Sequence, residues 1–437
     1  MTNSPDIPLT ELTTELSLDE AKTRLKRLIT PIDTNAARPL DQAHGAFLGQ
    51  DVISDVNVPP ANTAAVDGYA CCYADLLAAP NRTLALSGKA YAGHPLAHAF
   101  APDTAIYITT GTPMPLAADP ARHPDTIAMQ EHCQISEQDG ITWITFPDHI
   151  KPMSNFRPAG ENIKAGDIAL MKNTRLGSAE IGLGAAIGKN TLICRQTLMV
   201  GILSTGEELK DIRDQVSGDR LKSAPNDGYI YDSNRPMLNS LLINDGYQVH
   251  DGGIIGDNRD QLSHAMNDLT TRCDAIIITG GSSGGSEDFA RAAITASGGV
   301  IDFAGLKIKP GRPFAAGSIG QTPVFCIPGN PVAVYVTYLL LVADALRIQA
   351  GGIPRQPRRF PVTCGIDIKH KPGRTDFIRV TLTPTDTGLP VAKPHGRFGA
   401  GVLTSLTGAD GLLEISADIG DVKSGDTCQF IPFGEAL

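Results

Sequence analysis

Five turn-rich loops between Leu198 and Pro331 hold most of the residues in this chain with chemical potential. In order they are Ser204-Thr205-Gly206-Glu207-Glu208, Tyr231-Asp232-Ser233-Asn234-Arg235-Pro236, Gly280-Gly281-Ser282-Ser283-Gly284-Gly285, Lys309-Pro310-Gly311-Arg312-Pro313 and Pro328-Gly329-Asn330-Pro331. Glycine allows sharp turns and close backbone approach to a ligand. Exposed amides at helix N-termini attract anionic oxygens. One such loop is common; five in series point to a phosphate site, with Gly280, Gly281, Ser282, Gly284 and Pro328 on its walls.

Acidic residues lie between these loops. Glu208 follows a strand, Asp257 stands near a helix start, and Asp288 follows the glycine cluster. Oxygen ligands gathered beside phosphates are what Mg²⁺ requires. Taken singly, Asp257 and Asp288 read better as helix caps or first-turn acids, which are common. As a set beside phosphate-type loops, Glu208, Asp257 and Asp288 favour a metal site. Lys309 and Arg312 are displayed on a turn stiffened by prolines. Arg grips an oxyanion with two parallel hydrogen bonds, and Lys acts as a point charge. A solvated surface turn is the plain alternative.

Other chemistries are excluded. The glycine cluster lacks both the dinucleotide-binding spacing and the Gly-Lys-Ser/Thr ending of a P-loop. Ser282 and Ser283 lie outside any Gly-x-Ser-x-Gly context. His123, His132 and His149 have no metal-ligand spacing. Eight cysteines contain no Cys-x-x-Cys pair, which disfavours a zinc ribbon or redox dithiol. They read as buried, reduced thiols of a cytoplasmic protein. A formal charge of −10 opposes nucleic-acid binding. No secretory signal is visible. The nearest apolar run, Ala333 to Leu346, is interrupted by Asp344, so no membrane span is expected.

The elements that must position these loops follow from periodicity. A length of 437 residues argues for two to four domains. Ser17-Leu18-Asp19-Glu20 is a capping box that opens an amphipathic helix ending near Thr30-Pro31. Short strands and turns fill about 51–150, with a hairpin turning at Asp139-Gly140. From Thr197 strands and helices alternate. Leu198 to Leu203, Ala275 to Thr279 and Val324 to Ile327 are strands. Met237, Leu238, Leu241 and Leu242 mark one helix, stopped by Gly246. Leu262, Ala265, Met266 and Leu269 mark another, and a long helix runs from about Val332 to Gln349. This order predicts an open, mainly parallel sheet with helices on both faces. Ligands bind beyond the carboxyl ends of such strands. After Gly351-Gly352-Ile353-Pro354 the chain returns to short alternating strands.

These motifs, taken in order, resemble the molybdopterin molybdenumtransferase family, the MoeA and gephyrin E-domain enzymes. The resemblance spans almost the whole chain. It adds Asp67-Gly68-Tyr69-Ala70, Thr110-Gly111, Met129-Gln130-Glu131 and Arg157-Pro158-Ala159-Gly160-Glu161 to the five loops. It implies a multidomain α/β plus β protein with a central three-layer α/β/α molybdopterin-binding domain. The implied parts are an elongated N-terminal domain (1–58 and 151–195), an inserted β domain (59–150), the α/β domain (196–350) and a C-terminal β-barrel-like domain (351–437). It also implies a homodimer in which one subunit's α/β domain faces the other's inserted domain.

The implied reaction takes adenylylated molybdopterin and molybdate, breaks the pyrophosphate link, releases AMP and delivers molybdenum to the dithiolene, with Mg²⁺ as cofactor. A molybdopterin adenylyltransferase and molybdenum apo-enzymes are the implied neighbours. Asp67, Thr110, Glu208, Asp257 and Asp288 match functional positions of the family. Lys309 and Arg312 match its basic loop, and Ser405 and Arg374 match weaker positions in the C-terminal domain. Three departures stand out: Ala65-Val66 before Asp67, Arg312 where Lys is usual, and a polar insertion over 210–226. Arg does not reproduce the hydrogen-bond geometry of Lys. A non-catalytic binding or scaffold protein, or an adenylyltransferase-like enzyme, remain the alternatives.

Overall fold

Alternating apolar residues bury both faces of the strands that carry the loops. In the computed structural model, which describes residues 14–215, 228–280 and 287–434, a six-stranded sheet runs in the order Gln248–Ile255, Met199–Thr205, Ala275–Gly280, Thr322–Ile327, Ala315–Ile319, Val300–Ala304. The first four strands are parallel and the last two antiparallel. Val200, Ile202 and Ile277 enter the core on one face, with Leu238, Leu241 and Leu340. Leu203, Ile276 and Ile278 enter the other, with Leu262, Met266 and Ile294. Strands covered on both faces are the expected setting for a parallel sheet.

The expected helices form. Ser17 and Glu20 make the reciprocal capping box of helix Leu18–Leu28. The helices Asn234–Asn244 and Arg259–Thr270 follow their predicted apolar faces. Gly246, at φ +89°, ends the first of these. The long helix differs from expectation: it is α over Pro331–Thr337, π over Tyr338–Val342, and α again over Ala343–Gln349. A π turn accommodates an extra residue, and here the buried Tyr338 hydroxyl donates to Asp245 Oδ2 at 2.5 Å. By length and composition this helix could cross a membrane, but 67% of its apolar window is buried inside the protein.

The remaining sheets frame the central one. Thr126–Met129, Gly68–Cys71, Thr104–Ile108, Thr83–Ala90, Ile141–Thr145 and Gln134–Gln138 form a second six-stranded sheet. Its last hairpin turns at Asp139 and Gly140, both with positive φ (54° and 76°), as a tight two-residue turn demands. Asn35–Pro39 pairs with Thr191–Arg195, and Val52–Ile53 with Ile168–Leu170, so the chain leaves and re-enters the same part around that sheet. At the C-terminal end, Thr375–Thr383 pairs with both Val391–Pro394 and Gly411–Ile415. With Phe360–Cys364 and Thr427–Pro432 this closes a five-stranded barrel around Val362, Val380 and Leu413.

All eight cysteines are free thiols and seven are buried. Burial pushes the Cys326 thiol up to about 12.

Phe325 is fully buried on the strand Thr322–Ile327 in the middle of the central sheet. Phe325→Ala is expected to lose about 3–5 kcal/mol of stability. Ile243→Ala, at a position 60% exposed, should change it by less than about 0.5 kcal/mol. Urea unfolding followed by circular dichroism checks both.

Candidate functional site

The parallel strands end together. Thr205 stands in register with Ile255 on one side and Gly280 on the other, and Thr279 with Ile327. Gly280 has φ +109°, and a Cβ there would lie 2.0 Å from the Thr205 carbonyl oxygen. Only glycine fits. Beyond this edge lies a cavity of about 440 Å³, whose walls include Gly206, Glu208, Asp232, Asn234, Asp257 and Gly280. Glu208 is exposed and Asp257 half-buried. Asp257 Oδ1 accepts from the Thr205 hydroxyl at 3.2 Å, and the Asp257 amide donates to Glu207 at 3.2 Å.

Neither the Glu208 nor the Asp257 carboxylate forms an ion pair among the described residues. Two uncompensated carboxylates on one cavity suit a hard divalent cation. No group of three His, Cys, Asp or Glu residues able to hold a metal occurs among the described residues. The third expected ligand, Asp288, is in the first turn of helix Glu287–Ala296; its side chain lies outside the described residues. So do Gly281, Ser282 and Gly284.

The motif Asp232-Ser233-Asn234-Arg235 is the clip of this cavity. Asp232 Oδ1 accepts from the amides of Asn234 and Arg235 at 3.0 and 3.2 Å, capping helix Asn234–Asn244. Asn234 Nδ2 donates to Thr279 Oγ1 at 3.0 Å and to the Gly329 carbonyl at 2.6 Å. This ties the ends of two strands to one helix. Arg235 is 3% exposed and bridges Asp211, Asp232 and Asp251. The side chain of Arg213, followed by Arg235, holds the Asp211 carboxyl well below the usual range.

The expected single pocket is in fact two. Lys309, Arg312, Pro328 and Arg374 line a separate cavity of about 460 Å³ between the α/β sheet and the barrel. Asn330 lines both cavities. The division comes from the barrel's Phe398 to Leu403 segment, which docks where the Val332 amide donates to the Ala400 carbonyl at 3.0 Å. Gly401 and Leu403 face the acidic cavity, while Phe398 and Ala400 face the other.

The second cavity is cationic: Lys309, Arg312, Lys369, Arg374 and Arg379 outnumber Asp367 and Asp376 on its walls. Lys309 pairs with Asp376 at 3.3 Å and Arg312 with Glu15 at 2.5 Å. Arg374 approaches Asp376 at 3.7 Å. Arg379 was not expected here. It is 5% exposed and has no carboxylate partner among the described residues. It donates instead to Ser405 Oγ at 2.9 Å and to the Arg397 and Gly399 carbonyls. Burial lowers its pKa. A buried, uncompensated guanidinium favours an incoming anion. The available signal was a lone charge inside the apolar run Phe377 to Leu382. Ser405, expected to touch ligand, is fully buried behind Arg379 and donates to the Val402 carbonyl at 2.6 Å. Its hydroxyl oxygen accepts from Arg379 Nε and so fixes the direction of the guanidinium.

Asp67 and Thr110 meet on the inserted sheet. Asp67 Oδ1 accepts from the Thr110 amide at 2.7 Å and its hydroxyl at 2.8 Å. These bonds, the amide's first, hold the Asp67 carboxyl below its usual range. Both residues are exposed and line neither cavity.

Comparison with known proteins adds a family to this geometry. Residues 16–188 match the MoeA N-terminal region (domain I and II), 201–348 the probable molybdopterin binding domain, and 361–433 the MoeA C-terminal region (domain IV). A molybdopterin molybdenumtransferase of Haemophilus influenzae is 32% identical over 97% of this chain and 100% of that protein. Gephyrin of Dictyostelium discoideum is 28% identical over 89% of this chain and 58% of its own length. A molybdopterin biosynthesis moeA protein from Pyrococcus horikoshii OT3 shares the fold, with a TM-score of 0.77 at 24% identity over 96% of this chain and all of that one.

Arg379→Ala is expected to weaken binding of sulfate, used as a tetrahedral oxyanion probe, by about tenfold or more. Arg379→Lys should recover only part of that loss, since a point charge cannot reproduce the fork. Isothermal titration calorimetry at fixed ionic strength checks both.

Proposed function

The chain belongs to the molybdopterin molybdenumtransferase family, and from that premise we propose that it inserts molybdenum into adenylylated molybdopterin. Molybdate is the second substrate; the pyrophosphate link breaks and AMP leaves. The observation that carries this reading is an acidic, glycine-edged cavity joined at Asn330 to a cationic one, in a chain similar over its full length to such a transferase.

The two cavities divide the work. Lys309, Arg312, Arg374 and Arg379 attract and orient the tetrahedral oxyanion, and burial strengthens the hold of Arg379. The tight turn at Gly280 lets the phosphate chain approach the strand ends closely. Glu208 and Asp257, with Asp288, are the residues that would hold Mg²⁺. When bound, the ion offsets charge on the phosphate oxygens of substrate and leaving AMP. The Phe398 to Leu403 segment shields the junction between the cavities, which limits water at the site of transfer.

We further propose a homodimer in which the partner completes the site. Asp67 and Thr110 are preformed as a hydrogen-bonded pair yet reach neither cavity of their own chain. Ile53 and Ile168, paired across two strands and exposed at 50% and 55%, form an apolar surface that suits self-association. The upstream adenylyltransferase and the recipient apo-enzymes are transient partners in this reading.

Purified protein given adenylylated molybdopterin, molybdate and Mg²⁺ should release AMP and yield cofactor that activates an apo-enzyme. Absence of both products, beside an active member of the family, would reject the assignment. Asp288→Ala should reduce turnover at least about tenfold while the melting temperature moves little.

Mixing tests the shared site. Asp67→Ala and Arg379→Ala homodimers are each expected to be nearly inactive, and subunit exchange should restore about a quarter of wild-type activity through mixed dimers carrying one intact site. No recovery after demonstrated exchange would place Asp67 outside the partner's site.

A further inference from the structure

The Asp232 to Arg235 motif contains two acceptor atoms that receive no hydrogen bond among the described residues. Asn234 is only 8% exposed and lines the acidic cavity. Its amide orientation is fixed twice over. The Gly329 carbonyl only accepts, so Nδ2 must face it. The Thr279 hydroxyl gives its proton to the Pro328 carbonyl at 3.2 Å, so it also accepts from Nδ2. Asn234 Oδ1 therefore points elsewhere, and it has no hydrogen-bond partner among the described residues. Asp232 stands beside it, 5% exposed and lining the same cavity. Its Oδ1 is engaged by the two helix amides, while Oδ2 receives no hydrogen bond among the described residues and pairs with Arg235 Nη1 at 3.6 Å.

Buried acceptors are satisfied in nearly all native sites. No described residue supplies the donor, and a molecule in the cavity that both residues line would supply it. A neutral amide oxygen beside a carboxylate repels phosphate oxygens and attracts N–H groups. We propose that Asn234, with Asp232 beside it, is an acceptor subsite that selects an amino-substituted ring of the substrate. This rests on the reading of the site given above. The substrate in that reading carries two such rings: the pterin, with its 2-amino group beside a ring N–H, and adenine, with its 6-amino group. The shared chemistry is an N–H edge presented to Asn234 Oδ1. A site built to accept from an N–H rejects the analogue that lacks it, because the buried acceptor is then left unpaired.

The test compares ligand pairs that differ at the amino group. Ligand-observed NMR titration of the full chain measures 6-carboxypterin against its 2-oxo counterpart, 6-carboxylumazine, and AMP against inosine monophosphate. Wild-type protein is expected to favour the amino member of one pair by at least about tenfold. The pair that shows the preference identifies the ring. Asn234→Ala should reduce that ratio to within about twofold of unity. Thr279→Val removes one tie to Asn234 without touching Oδ1; it should weaken both members alike and leave the ratio standing. A purely structural Asn234 would lower all four affinities together with the ratio unchanged, and that result overturns the proposal. Wild-type protein without preference in either pair, including failure to bind any of the four, overturns it too. If Asn234→Ala does not fold, as judged by circular dichroism, Asn234→Ser removes the same acceptor position and takes its place. Turnover of wild-type protein tests the broader reading separately, so the two can fail independently.

Discussion

Four parallel strands of the central sheet stop at one edge, and that shared stopping point governs everything built beyond it. The register places Thr205 between Ile255 and Gly280, and Thr279 beside Ile327. Loops leaving those residues have no choice but to crowd together. At Gly280 the crowding is so close that the Thr205 carbonyl occupies the space any Cβ would need. The sheet can hold this edge rigid because its three inner parallel strands, Met199–Thr205, Ala275–Gly280 and Thr322–Ile327, are buried on both faces, with adjacent residues entering opposite cores.

Hydrogen bonds then convert a crowded edge into a shaped cavity. Asn234 joins a helix N-terminus to the ends of two strands through Thr279 and Gly329. Arg235 gathers three carboxylates from separate segments. A buried ion cluster of this kind is weak evidence for stability, since desolvation offsets the attraction, but it holds a definite geometry. The barrel supplies the other half. Arg379 sits in its wall, desolvated and without a carboxylate partner among the described residues, and Ser405 behind it fixes where the guanidinium points. The α/β sheet thus contributes acids and bare backbone, and the barrel contributes a buried cation, with Asn330 at the seam.

Much of this was legible residue by residue. Ser17 and Glu20 announce a capping box because the hydrogen bonds involved span three residues and need nothing distant. Asp139-Gly140 announces a tight hairpin because both positions must adopt positive φ. The strand and helix order from Met199 to Ile327 follows from local periodicity, and with it the edge where Glu208 and Asp257 meet. The π turn at Tyr338 was not legible: Tyr338 bonds Asp245, 93 residues away. Arg379 was missed because alternation within Phe377 to Leu382 says that a charge is inside, not which cavity it faces. The burial of Ser405 behind Arg379 was not legible for the same reason, since it depends on the neighbouring strand.

Sequence alone determined the kinds of chemistry available: glycine turns, scattered carboxylates and a stiff basic loop. Those properties belong to individual side chains and short spans of backbone, so spacing reveals them. Tertiary structure decided which of these groups share a cavity. It separated Lys309 and Arg312 from Glu208 and Asp257 by wedging the Phe398 to Leu403 segment between them, and it left Asp67 with Thr110 on a surface of their own. It also left Asn234 Oδ1 without a partner among the described residues, because the same amide's nitrogen is held by two strand ends. Each of these outcomes depends on packing between segments tens or hundreds of residues apart, and no local pattern encodes a distance of that kind.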